Sequence, residues 1–237
     1  MKFNIHRSEE RGHSNHGWLD SRFSFSFADY FNRNRMGFGA IRVINDDSIA
    51  PASGFPEHPH ANMEIVTIVL EGTLEHKDSL GNGSVIRPGE VQRMSAGSGI
   101  THSEWNPSDS ETLRLFQIWI QTRDVDISPE YDQQVVDLEV NRGRLVTLVS
   151  GEPTEEGFTF HQDAWIKRGL FSAGGKYTYK PNNGDNGILV FIVDGVIEIA
   201  DNRLYSRDEI TITDEDEIII NIEKDTDIIL FEVPLSN

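Results

Sequence analysis

Two pairs of side chains with the chemistry of metal ligands recur at the same spacing, each inside a run that reads as β-strand: His58-Pro59-His60 and His102-Ser103-Glu104. Side chains on a strand alternate faces, so residues two apart stand on one side of the sheet, about 6.6 Å apart along the strand. Each pair therefore points one way. If the two strands lie beside or across from each other in a small barrel, three imidazoles and one carboxylate converge on a point. A single histidine in a strand is more often a hydrogen-bonded filler than a ligand, and it is the doubled i, i+2 pattern that singles out this set.

Neutral imidazole and carboxylate suit Fe, Mn, Co, Ni, Cu or Zn, and four ligands on a six-coordinate ion leave two positions open. The chain has no cysteine, which excludes disulfides, thiol catalysis and thiolate-held zinc or iron–sulfur sites, and fits a reducing compartment. Its start, Met1-Lys2-Phe3-Asn4-Ile5-His6-Arg7, has no apolar core of a signal peptide, and no run approaches the roughly 20 apolar residues of a membrane span. The expectation is a cytoplasmic protein without a membrane partner. A formal net charge of −18 argues against direct nucleic-acid binding, which rests on Lys and Arg neutralising phosphates.

Strand patterning runs through the chain. Phe23-Ser24-Phe25-Ser26-Phe27 and Ile41-Arg42-Val43-Ile44 alternate apolar and polar residues. Ile65-Val66-Thr67-Ile68-Val69-Leu70 reads as a buried strand ended by the turn Glu71-Gly72, and Leu113 to Gln121 as a strand covered on both faces. His13 and His16 sit in a Gly- and Asn-rich turn and are expected to fix that loop. His76, in the polar hairpin arm Thr73-Leu74-Glu75-His76-Lys77-Asp78, is expected to be solvated. Glu64 stands an even number of residues from His58 and His60 and is read as a pocket wall behind the ligands. Phe55, Trp105 and Trp119 are candidate aromatic walls. The polar, Pro-containing segment Thr122 to Asp132 places a domain boundary at 130/131, giving domains 1–130 and 131–237.

The second half repeats the first. Leu189 to Glu198 parallels Ile65 to Glu75 at an offset of 123, with Asp194-Gly195 over Glu71-Gly72, and Ile228 to Glu232 parallels Leu113 to Gln117. Carried back, that register sets Pro181 over His58 and Asn183 over His60. His161 is the only histidine after residue 102, so the second half is expected to hold no metal. No G-x-S-x-G elbow, P-loop, H-E-x-x-H or dinucleotide fingerprint occurs.

The residues also carry a family resemblance. Gly54, His58-Pro59-His60, Glu64 and Gly72 resemble a first cupin motif, and Gly89, Gly97, His102 and Asn106 a second. Three residues separate Gly54 from His58 where cupins usually have five, Ser95 replaces the expected proline, and four residues rather than two precede His102. These departures are the pirin pattern. Together with Arg11-Gly12-His13, Gly17-Trp18-Leu19, Arg42 to Asp47, Met94 to Gly97 and His102-Ser103-Glu104-Trp105-Asn106, they make the N-terminal half similar to pirin-like proteins. The resemblance implies an all-β fold of two tandem cupin barrels, with one divalent transition metal, iron first, in the N-terminal barrel on His58, His60, His102 and Glu104. It also implies a dioxygenase resembling pirin-type quercetin 2,3-dioxygenase, which opens a flavonol with O₂ and releases carbon monoxide. Glu104, the one anionic ligand, is then the candidate general base. The alternative is a metal-binding regulatory protein that acts through a protein partner.

Overall fold

A computed structural model describes residues 2–153 and 156–235. The chain is all-β, with two cupin units built on one plan. In the N-terminal unit a seven-stranded antiparallel sheet runs in the order Glu130–Val135, Glu90–Ser95, Met63–Glu71, Leu113–Gln121, Ile41–Ile49, Leu19–Phe23, Gly12–Asn15. A four-stranded sheet runs Ser53–His60, Ile100–Asn106, Leu74–Asp78, Gly83–Ile86.

The C-terminal unit repeats both orders. Its seven strands are Lys2–His6, Glu209–Thr213, Asn186–Asp194, Thr226–Pro234, Trp165–Phe171, Val146–Ser150, Phe158–Thr159, and its four are Lys176–Tyr179, Ile218–Ile222, Val196–Ile199, Asn202–Tyr205. The predicted duplication is thus a repeat of strand order, but its register needs a correction. Val66 pairs with Ile118 where Leu189 pairs with Phe231, so Leu115–Trp119, not Leu113–Gln117, lie over Ile228–Glu232. Likewise His102 pairs with His58 where Ile218 pairs with Tyr179, which sets Tyr179 rather than Pro181 over His58. Both slips are two residues long and leave every side chain on its own face, so the apolar pattern cannot register them.

The division between units also differs from the 130/131 boundary. One unit comprises Gly12–Val136 with Phe160–Gln162, the other Met1–Arg11, Asp137–Thr159 and Asp163–Asn237. Glu130–Val135 reads as linker because it is polar, yet it pairs along its whole length with Glu90–Ser95 as a half-exposed sheet edge. Lys2–His6, first in the chain, is the edge of the C-terminal sheet, paired to Glu209–Thr213 and anchored by His6 Nδ1 on the Glu209 carboxylate at 2.8 Å.

Candidate metal centre

The centre is built on the inner face of the four-stranded sheet. Along Ile100–Asn106, residues Ile100, His102, Glu104 and Asn106 are buried while Thr101, Ser103 and Trp105 are not, which is the alternation expected of one inward face. His102 lies opposite His58, and Glu104 lies opposite Phe55. Between these pairs one residue, Ser103, thus faces two, Pro56 and Glu57, a bulge that re-aims His58. The bulge has a local anchor: His58 Nδ1 donates to the Pro56 carbonyl at 2.8 Å, leaving Nε2 for a ligand. Gly54 allows the strands to close here. A Cβ at that position would collide with the Glu104 carbonyl and lie 2.6 Å from Trp105 Cα.

His58, His60 and His102 come together with ligand nitrogens within 4.8 Å of one another and ring centroids 4.4 to 4.9 Å apart. Burial disfavours the charged form of His60 and His102, with help from repulsion by neighbouring imidazoles. His60 is pushed down to about 4 and His102 to about 2, so both are uncharged at neutral pH. His102 Nδ1 is engaged by His76 Nε2 at 3.1 Å, while its buried Nε2 has no hydrogen-bond partner among the described residues. An orphaned imidazole nitrogen facing two more imidazoles is what a divalent ion would satisfy.

Glu104 stands two residues along the same face but outside the 4.8 Å cluster. Its two oxygens each accept from Gln117 Nε2 at 3.0 Å, and Gln117 Oε1 accepts from Thr67 Oγ at 3.1 Å. Burial raises Glu104 to about 7, the amide opposing that rise. An approaching cation would reverse the effect of burial and hold the group as carboxylate. The donor set of three imidazoles and one carboxylate therefore fits one first-row transition ion.

The remaining predicted residues divide. Trp119 stands at the cluster, edge-on to His60 at 4.8 Å, with a buried unpartnered Nε1. Phe55 lies 6.3 Å from His58 and edge-on to Trp18 at 5.2 Å, packed on the Leu19, Ile49 and Leu74 core. Trp105 points the other way and, with Pro56, Glu75, Lys77 and Ser103, lines a separate hollow of about 170 Å³. Glu64 also leaves the set. It pairs opposite Ser95, accepts from Ser95 Oγ at 2.6 Å and feels Arg93 and His161, on the face opposite Ile65, Thr67 and Val69. The even spacing to His58 misleads because Ala61–Asn62 forms a bend between two strands, with Asn62 at φ 51°, and face parity is not carried through it.

Three residues escaped the sequence reading. His76 is fully buried rather than solvated and stacks on Tyr131 at 4.9 Å. Gln117 and Thr67 interrupt the apolar runs Leu115 to Ile120 and Ile65 to Leu70, and that interruption was their signal. His13 and His16 bond Asp20 and Ser14 within their own loop. Beside His60 opens a cavity of about 560 Å³ lined by Pro59, Ala61, Ser79, Gly99, Ile100 and Thr101, with no charged side chain, a size and polarity suited to a small organic ligand.

Fold and cluster define a two-barrel cupin protein with a single three-histidine centre among the described residues. Residues 4–120 match the Pirin family and residues 147–233 the Quercetinase C-terminal cupin domain. The chain belongs to the pirin family. It is 41% identical over 230 residues to the quercetin 2,3-dioxygenase of Escherichia coli K12, covering 97% of this chain and 98% of that one. It is 40% identical over 225 residues to a pirin-like protein of Caulobacter vibrioides, covering 94% and 96%. The crystal structure of the bacterial pirin YhhW from Escherichia coli in complex with nickel(II) superposes with a TM-score of 0.93 at 40% identity, covering 98% of this chain and 99% of that one.

Proposed function

We infer that this chain is a metal-dependent dioxygenase that opens flavonols of the quercetin type with O₂. One divalent transition ion would be held by His58, His60 and His102 with Glu104 completing the set. The observation that carries the reading is the cluster itself: three imidazoles with ligand nitrogens within 4.8 Å of one another, one with an orphaned nitrogen among the described residues, beside a cavity lined by no charged side chain. The names of the close relatives and the nickel complex of one of them support it.

When bound, the ion supplies Lewis acidity toward a substrate hydroxyl and a centre for dioxygen chemistry. The protein does the rest. The walls given by Pro59, Ala61 and Ile100 receive an uncharged planar ring system. Glu104, held as carboxylate when the ion is bound, accepts the proton of the reacting hydroxyl. Gln117 keeps both carboxylate oxygens in place while the proton moves.

The test is metal analysis of the purified protein followed by aerobic quercetin assays with each reconstituted ion: iron first, then nickel, cobalt, manganese, copper and zinc. Quercetin consumption with carbon monoxide release is the expected result. A fully loaded protein inert with every ion would overturn the reading.

A further inference from the structure

The repeated strand order supplies an internal control, since the same barrel is built twice in one chain, once with the centre and once without it. With the corrected register, each position around the centre has a counterpart. His102 and Glu104 correspond to Ile218 and Ile220, and His76 to Ile199. Thr67 pairs with Gln117 as Val190 pairs with Leu230. All five C-terminal counterparts, each aliphatic, belong to one buried apolar cluster. The fold therefore accepts apolar side chains at every one of these positions.

Three polar residues in the N-terminal barrel are not ligands and yet are absent from the metal-free copy: Thr67, His76 and Gln117. All are buried, with Thr67 and His76 wholly so and Gln117 8% exposed. Burying such groups costs stability unless they are paired, and His76 Nδ1 is unpaired even here. Their hydrogen bonds run to the ligands. His76 Nε2 meets His102 Nδ1 at 3.1 Å, which fixes His102 with Nε2 turned to the cluster. The Thr67 hydroxyl donates to Gln117 Oε1, which forces the amide to present its NH₂ group to Glu104.

We propose that His76 and the Thr67–Gln117 pair are positioning residues of the metal centre, one orienting the His102 ring and the other the Glu104 carboxylate, and that the barrel does not need them to fold. This rests on the metal reading above. The chemistry is that of groups bonded to the far side of metal ligands, whose loss costs roughly 10- to 100-fold in metal affinity.

The experiment replaces each residue by its own C-terminal counterpart, T67V, Q117L and H76I, and adds H76Q, whose side-chain oxygen restores an acceptor for His102 Nδ1–H. Nickel(II) affinity is measured by titration calorimetry, and thermal unfolding of the metal-free proteins is followed in parallel. Expected are metal-free midpoints at or above that of the parent, with nickel binding weakened ~10- to 100-fold in Q117L and H76I, less in T67V, and largely restored in H76Q. A purely structural role would instead lower the metal-free midpoint. Variants that bind nickel like the parent, or that no longer fold, overturn the proposal. A parent chain that binds no nickel or other transition ion overturns the metal reading itself, so the two failures are distinct.

Discussion

Metal binding to this site should release a proton from Glu104, in an amount that depends on pH in a calculable way. Burial raises the Glu104 carboxyl to about 7, so the metal-free protein carries that proton on about 0.9 of its molecules at pH 6 and about 0.1 at pH 8. His60, at about 4, and His102, at about 2, are already neutral across this range and contribute none. The sign follows from the direction of each shift. A carboxyl with a raised pKa favours the metal-free protein at low pH, so nickel affinity should fall about tenfold per unit below pH 7 through this group and level off above it. Calorimetric titrations in two buffers of different ionisation enthalpy count the protons. The parent should release ~0.9 proton more than Glu104→Gln at pH 6 and ~0.1 more at pH 8. Equal release by the two proteins at pH 6 would refute both the placement of the proton and the role of Glu104 at the ion.

Four further outcomes are expected. Glu104→Gln should keep metal in part but lose ~100-fold or more in quercetin turnover; near-parental rates would remove Glu104 as the base. His58→Ala and His102→Ala should lose the metal while unfolding cooperatively, and metal analysis of the parent should give about one ion per chain, two per chain being incompatible with the aliphatic C-terminal core. Glu232 is fully buried and accepts from Tyr179 Oη at 2.5 Å, from the Asn182 and Asn183 backbone at 2.9 and 2.8 Å, and from the Asn182 and Asn186 side chains at 2.8 and 3.1 Å. Glu232→Ala should therefore cost about 3–5 kcal/mol in denaturant unfolding without touching nickel affinity, and an unchanged midpoint would show those donors to be satisfied otherwise. Gly54→Ala should push the Ser53–His60 and Ile100–Asn106 strands apart and weaken both folding and nickel binding, read by the same two assays; parental values in both would contradict the close approach.

The three-histidine cluster was legible because strand geometry has a period of two. His58-Pro59-His60 and His102-Ser103-Glu104 declare their faces in the sequence, and the pairing of His102 with His58 brings those faces together. What was not legible lies between strands rather than along them. Glu64 was misplaced because parity stops at the Ala61–Asn62 bend. His76 sits among polar neighbours in a hairpin, and only the packing of Tyr131 over it makes it interior. Tyr131 belongs to the edge strand Glu130–Val135, whose polarity also hid the end of the N-terminal unit. Both errors have one cause, an edge strand patterned for solvent on one side and for the sheet on the other.

The two barrels also differ in how their interiors are held together, and the difference bears on what the centre does for the fold. In the C-terminal barrel Ile188, Val190 and Ile192 on one strand and Ile228 and Leu230 on its neighbour join a single aliphatic cluster. The corresponding N-terminal strands read Ile65, Thr67, Val69 and Leu115, Gln117, and here the apolar interior is split. Val69, Leu74, Leu113 and Leu115 form one cluster, and Ile65, Met94 and Ile100 another. Thr67 and Gln117 fall between these clusters along their strands, and His102 and Glu104 follow Ile100 along theirs. Interrupting a continuous core with polar groups removes favourable apolar burial at about 25 cal/mol per Å² and adds desolvation that only good pairing offsets. A bound ion joining three imidazoles and a carboxylate would cross-link strands where apolar contact has been given up, and would thereby couple metal binding to folding of the N-terminal barrel. The C-terminal copy gives up no apolar contact at these positions, since Ile199, Ile218, Ile220, Val190 and Leu230 all join its one cluster.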